Sequence, residues 1–202
     1  MKKIILLAII SFATISMTTD KTKVSDHELK YVTDFYGESI KILENTLTDL
    51  NESQLNFRPA DGGWTIKECL EHIILGEEAI MKKMKETIQE NKVDRSKDLS
   101  KNDAIILTRL TNRGDKKKTF KPFEPTGRWK TKDEMYNVIK ANRYKVLKII
   151  NTTDADIRHL FTNSPVGEVD IYQFYIVYAG HTLRHTLQIQ EILEEYKAKT
   201  SN

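Results

Sequence analysis

Four long stretches of the chain place apolar residues every three or four positions, and this period constrains the fold more than any other feature. Leu29, Val32, Tyr36, Ile40, Leu43, Leu47 and Leu50 mark the first stretch, and Ile66, Leu70, Ile73, Ile74, Met81 and Met84 the second. Met135, Val138, Ile139, Val146, Ile149 and Ile150 mark the third. Ile171, Phe174, Tyr178, Ile189, Ile192 and Tyr196 mark the fourth. An apolar stripe with this period is one face of a helix, and it must be buried against another element. Three of the stretches open on one signature: Ser25-Asp26-His27-Glu28, Thr65-Ile66-Lys67-Glu68 and Thr131-Lys132-Asp133-Glu134. In such a capping box the hydroxyl accepts from the N–H three residues on, and the glutamate reaches back to the cap's own N–H. Asp170 offers a simpler N-cap for the fourth helix. With 8 Gly and 4 Pro in 202 residues, turns are sparse and long helices are favoured. Four amphipathic helices bury their stripes together as an all-α four-helix bundle.

The connections differ in length. Residues 57–63 form a short turn-rich link between the first two helices. Residues 91–130 form a long one, with a short helix over Ala104–Leu110 and a Pro122-Phe123-Glu124-Pro125 segment. A connection this long permits a crossover, so simple up-down-up-down order is not required. Residues 151–169 read as a loop. The fourth helix carries a second apolar strip, Ile176, Leu183 and Leu187. It either covers the long linker or makes a homodimer contact.

Hydrophobic residues make up 39% and charged residues 30%, a globular composition with enough apolar side chains for a core. The formal net charge is +3, and two of the lysines counted in it, Lys2 and Lys3, lie in a leader. So small an excess argues against nucleic acid as a partner. Lys116-Lys117-Lys118 reads as a solvated loop. The start, MKKIILLAIISFATISMTTD, has the basic, apolar and small-residue regions of a signal peptide. Its apolar run is shorter than the roughly 20 residues a span needs. Residues 1–20 are therefore set aside as a leader. The expected chain is exported, periplasmic or extracellular in a bacterium, with no stable membrane span once mature. Cys69 is the one cysteine, so an intramolecular disulfide cannot form.

Five histidines remain to be explained. His27, in a helix first turn, and His159, in a loop, read as surface residues. His181 and His185 are four apart, which stacks them on one helical face. That face is the core face, with Phe174, Tyr178, Ile189, Ile192 and Gln188 in the same arc. Imidazoles there are costly unless hydrogen-bonded or ligated. His72 lies at the edge of the second helix's stripe, between Cys69 and Gly76. Gly inside a helix costs about 0.5–1 kcal/mol relative to Ala, so Gly76 points to a close approach by something. Three imidazoles with an open fourth position are the pattern of a catalytic metal site. The alternative is three core histidines satisfied by hydrogen bonds.

At these residues the sequence resembles the DinB-like superfamily, which includes the YfiT-type proteins classed as metal-dependent hydrolases. Phe57-Arg58-Pro59, Gly63-Trp64-Thr65-Ile66-Lys67-Glu68 and Leu70-Glu71-His72-Ile73 resemble its RP…W-[ST]-x-x-E-x-x-x-H element. Gly180 to Ile189, with His181, His185 and Gln188, resembles its H-x-x-x-H-x-x-Q-[IL] element. The likeness covers residues 25–198. It implies a four-helix bundle of up-down-down-up topology, a nickel or zinc ion on His72, His181 and His185, and often a homodimer. Assigned activities in the family include thiol-dependent S-transferases and isomerases. The leader and Thr186-Leu187 depart from its pattern.

Other residues carry weaker signals. Asn142 interrupts the third stripe and either faces the site, orienting a substrate or a water, or is a buried structural residue. Trp64 reads as packing at the start of the second helix, and Cys69 as a small buried hydrophobe. Glu68 and Glu71 point away from the stripe and are not taken as general bases. Three functions stay open: a metal-dependent hydrolase or group-transfer enzyme acting on a small molecule, a non-catalytic metal- or ligand-binding module, and a structural bundle without metal.

Overall fold

The computed structural model describes residues 24–114 and 118–201. The leader, residues 1–20, and Lys116 and Lys117 lie outside the described residues, and Lys118 is exposed. The elements are α1 (Asp26–Leu47), α2 (Glu52–Leu55), α3 (Ile66–Glu90), α4 (Asp103–Thr111), α5 (Lys132–Thr152), β1 (Phe161–Ser164), β2 (Gly167–Asp170) and α6 (Ile171–Thr200). The four stripes become α1, α3, α5 and α6, which make a four-helix bundle. Among the described residues no helix is long and apolar enough to cross a membrane.

The caps explain where the helices start. Ser25 and Thr65 complete their capping boxes with Glu28 and Glu68. Asp170 does more than the simple cap expected: Gln173 returns a hydrogen bond to it, giving a full box. Thr131 does less. Its hydroxyl accepts from Glu134 N at 3.1 Å, but the Glu134 carboxylate accepts from Lys130 N, one residue before the cap. Each such cap contributes about 1 kcal/mol.

Helix directions follow from contacts at both ends. Tyr172 Oη donates to Glu28 O at 3.1 Å, and Gln190 Nε2 to Thr46 Oγ1 at 3.1 Å, so α1 and α6 run the same way. α5 runs against α1, because Lys132 reaches Leu47 O at one end while Arg143 lies over Tyr36 further along. α3 runs against α6, with His72 beside His185 and Glu77 beside Thr182. The first third of α6, residues 171–180, is buried on every side.

Two regions differ from expectation. Residues 151–169 hold a hairpin rather than a plain loop, with Phe161 opposite Asp170 and Ser164 opposite Gly167. Its strands are four residues each, too short to show a period in sequence. Arg158, just before it, joins Asp103 at 2.8 Å and Asp170 at 3.1 Å, and reaches Glu28 on α1 with its Nε at 2.8 Å. The second difference concerns the strip of Ile176, Leu183 and Leu187. α4 packs on it, and a Cβ built at Gly180 would meet Leu110 Cδ1 at 2.8 Å. The linker thus covers the strip around Gly180, whereas Leu183 and Leu187 are half-buried, and nothing in the fold supports a homodimer.

An ion pair that helical period did not reveal lies inside the bundle. Glu77 on α3 is fully buried, and Arg143 on α5 is 5% exposed. Glu77 Oε1 lies 3.3 Å from Arg143 Nε and accepts from Thr182 Oγ1 at 2.9 Å. The guanidinium lies over the Tyr36 and Tyr178 rings at 4.7 and 5.0 Å. Burial pushes the Glu77 carboxyl up to about 7 despite Arg143, Thr182 and Tyr178. Between about pH 4.5 and 7 the folded chain therefore holds a proton that the unfolded chain releases, and stability falls as pH rises through that window. Glu77→Gln removes this titration. The unfolding free energy of the parent chain relative to Glu77→Gln should drop by up to about 3 kcal/mol from pH 4.5 to 8 in urea titrations. A pH-independent difference would show that Glu77 stays ionised throughout.

Candidate metal centre

The Thr65 box starts α3 seven residues before His72, and Trp64, next to the cap, folds back over that histidine. The Trp64 and His72 rings are 4.6 Å apart between centroids. Trp64 is thus half-buried as a wall of the site as well as a packing residue. From the facing helix, His181 and His185 meet His72: centroid separations are 5.0 Å for His72–His181, 4.4 Å for His72–His185 and 4.6 Å for His181–His185. One nitrogen from each ring lies within 4.8 Å of the other two.

Gly76 is what admits His181. A Cβ at Gly76 would stand 2.5 Å from His181 Cε1, closer than real Cβ atoms approach. The close approach signalled by this glycine is therefore that of the facing helix and its imidazole ring.

Each outer nitrogen decides where the ring points. His72 Nδ1 lies 2.8 Å from the Phe123 carbonyl oxygen, and His185 Nδ1 lies 2.9 Å from Gln188 Oε1. A carbonyl oxygen only accepts, so each Nδ1 carries the proton and each Nε2 is left bare. Such partners orient metal-binding imidazoles and raise their basicity. His181 Nε2 is 3.2 Å from His72 Nε2. Among the described residues His181 Nδ1 is buried without a hydrogen-bond partner. If His181 Nε2 donates to His72, its own Nδ1 is left bare with no donor. An ion among the three rings would take the bare nitrogens that face one another, while His181 Nδ1 would keep its proton without an acceptor among the described residues. The 3.2 Å spacing suits two nitrogens on one ion at about 2.0–2.1 Å each. Burial lowers all three pKa values: His181 to about 3, helped by His72, Arg184 and Arg143, and His185 well below the usual range, helped by His181 and His72. For His72 the Phe123 carbonyl partly opposes the effect of burial. All three are neutral at pH 7, as metal ligands must be.

The remaining residues separate clearly. Gln188 stands beside His185 and lines the groove. Asn142 is buried on α5, accepts from Lys145 Nζ at 3.5 Å and does not line the groove. Cys69 is fully buried in the apolar cluster with Leu70 and Ile73, and burial pushes its thiol far up, so it is no nucleophile. His27 is exposed, whereas His159 is less of a surface residue than expected, with Nδ1 2.7 Å from buried Asp156.

Glu71 has a role that helical phase missed. It is 3% exposed and faces the linker. It accepts from Thr126 N and Oγ1, both at 2.9 Å, from Gly127 N at 2.8 Å and from Arg128 N at 3.2 Å. Gly127, at φ +76°, supplies the left-handed turn that aims successive N–H groups at one carboxylate. Burial alone would raise the Glu71 carboxyl, but these donors hold it below its ordinary range. This clamp fixes the linker that carries the Phe123 carbonyl. A Thr-Gly pair after a proline was the available signal.

The trio lies on the floor of an open groove of about 1300 Å³, also lined by Trp64, Phe123 and Gln188.

This helical bundle with three convergent histidines defines a class: residues 37–189 match the DinB superfamily model, and the chain belongs to that superfamily. Among solved structures it is similar to YfiT from Bacillus subtilis, described as "a probable metal-dependent hydrolase with an unusual four-helix bundle topology". Identity is 14%, coverage 85% of this chain and 89% of that one, and the TM-score 0.54, a likeness of fold. No curated protein matches the chain.

Gly76→Ala should destabilise the chain by about 1–3 kcal/mol through collision with His181, although Ala favours a helix. Gly37→Ala, on exposed α1 with nothing within 4 Å of the new Cβ, should stabilise it by about 0.5–1 kcal/mol. Urea unfolding of both variants is the check. A stabilised Gly76→Ala chain would mean that the His181 ring does not occupy that space.

Proposed function

We propose that the chain is a metal-dependent hydrolase of small molecules, holding one divalent ion, nickel or zinc, through His72, His181 and His185. The observation that carries this reading is the convergence of three neutral imidazoles, two of them oriented by carbonyl oxygens, on the floor of an open groove. Such an ion supplies Lewis acidity towards water or a substrate oxygen. The chain's own residues set the stage: Gln188 and the Phe123 carbonyl fix two rings, and Trp64 shields one side from solvent. In hydrolysis, water adds across an ester or amide bond; the acyl carbon gains the hydroxyl and the leaving group takes the proton. Group transfer to a thiol would use the same centre.

One observation favours a second reading, a non-catalytic metal- or ligand-binding module. The carboxylates nearest His72 in sequence are committed elsewhere, Glu71 to the linker and Glu68 to Arg58 at 2.7 Å and the Thr65 cap. Neither is free to take a proton.

Protein purified without an affinity tag should carry about one equivalent of divalent metal by elemental analysis, and His181→Ala should lose it with its helical circular dichroism intact. Stoichiometric metal that survives the change would sink the assigned site. Esters, amides and thiol conjugates should then be screened with metal-loaded and stripped protein. Metal-dependent turnover supports the enzyme, and none across the panel favours the binding module.

The reading includes export, which rests on Lys2, Lys3 and the apolar run after them. N-terminal sequencing of protein recovered from outside the cytoplasm should find a start near residue 20. A start at Met1 would count against it.

A further inference from the structure

Two of the three imidazoles have an orienting partner and the third does not. His72 Nδ1 has the Phe123 carbonyl and His185 Nδ1 has Gln188, whereas His181 Nδ1 is buried without a partner among the described residues. A second orphan is buried nearby. Glu77 is fully buried; its Oε1 faces Thr182 and Arg143, but its Oε2 has no partner among the described residues. A buried donor and a buried acceptor are both costly when left unmet, and native interiors rarely keep them so. Three observations bring these two together. Glu77 follows Gly76, whose Cβ position lies 3.1 Å from His181 Nδ1. Thr182, which donates to Glu77 at 2.9 Å, follows His181. Burial lowers the His181 pKa, and Arg143, itself 3.3 Å from Glu77, is among the charges that add to this.

We propose that Glu77 is the positioning residue for His181, its free Oε2 accepting the hydrogen bond of His181 Nδ1–H through one bridging water. The inference rests on the proposed metal site and adds the third of its orienting contacts. No direct hydrogen bond joins the two atoms, and a water meets both, accepting from Nδ1–H and donating to Oε2. The Tyr178 hydroxyl and the Arg143 guanidinium, also buried and unpartnered, supply the further polar neighbours that a buried water requires. With its proton held on Nδ1, His181 keeps Nε2 bare towards His72 and His185. Without Glu77 the ring does better with the proton on the other nitrogen, because Nε2–H then donates to His72 Nε2 at 3.2 Å. The three rings are thus fixed alike, each through an oxygen acceptor at Nδ1, one from the linker, one from α3 and one from α6.

The test uses the full chain stripped of metal with a chelator, and reads the ring nitrogens by long-range nitrogen–proton magnetic resonance, which separates protonated from bare nitrogens. At pH 7 His181 should carry its proton on Nδ1, and Glu77→Gln, which keeps an oxygen acceptor, should leave it there. Glu77→Met alone strands the Arg143 charge inside the bundle, so it is combined with Arg143→Met, since a buried ion pair replaced as a whole by apolar side chains is commonly tolerated. In that double variant the proton should move to Nε2, and zinc affinity should fall about tenfold to a hundredfold. Arg143→Met alone, which keeps Glu77, should keep the Nδ1 proton. A parent His181 protonated on Nε2, an Nδ1 proton that stays in the double variant, or a zinc affinity that the double variant keeps in full would each overturn the inference. The tautomer is read without metal, so it is independent of the hydrolase reading. A chain that binds no zinc yet shifts the proton when Glu77 is lost keeps this inference and loses the proposed function, and a chain that binds zinc with a tautomer indifferent to Glu77 does the reverse.

Discussion

The arrangement turns on the missing side chain at Gly76. The His181 ring stands where any other residue would put its Cβ, 2.5 Å from Cε1. Only with that space open can α3 and α6 come close enough for His72 to meet both histidines of α6. A helix-interior glycine costs about 0.5–1 kcal/mol, less than the burial of the neighbouring Ile73 and Ile74 contributes. The helix therefore survives the glycine, and the site requires it.

The second dependence runs through the linker. His72 needs an acceptor at Nδ1 to leave Nε2 bare, and nothing on α3 provides one. Phe123 does, from a segment far away in sequence. A loop of this length would sample many positions unless held, and Glu71, the residue before His72, holds it with four hydrogen bonds. Adjacent residues on one helix thus clamp the linker and receive its carbonyl. The segment that roofs the groove and the ring on its floor are placed by the same turn of α3.

How far this could be read in sequence depended on which physical signal each residue emits. The stripes and hydroxyl caps are local, so the four helices and their starts were legible. The Thr131 box was read as complete because sequence spacing cannot show that Glu134 turns to Lys130 N instead. Glu71 and Glu77 were missed for a shared reason. Helical phase assumes one buried face, but α3 is covered by α6, α5 and the linker, so charged residues off the stripe are buried too. For Asn142 the interrupted stripe leaves a site-facing and a buried structural role open, and the residue is buried on α5 beside Arg143. Phe123 could not be found from periodicity, since it contributes a backbone carbonyl, which any residue has.

The burial of α6 explains why the histidines sit where they do. Every residue from Ile171 to Gly180 is buried, enclosed by α1, α3, α4 and the hairpin, and the helix becomes amphipathic only from His181 onward. Histidines placed one or two turns earlier would be sealed from any substrate, because every residue there is buried. At the point where the helix emerges, His185 is buried and His181 half-buried. The rings are desolvated enough to stay neutral, and the groove still reaches them.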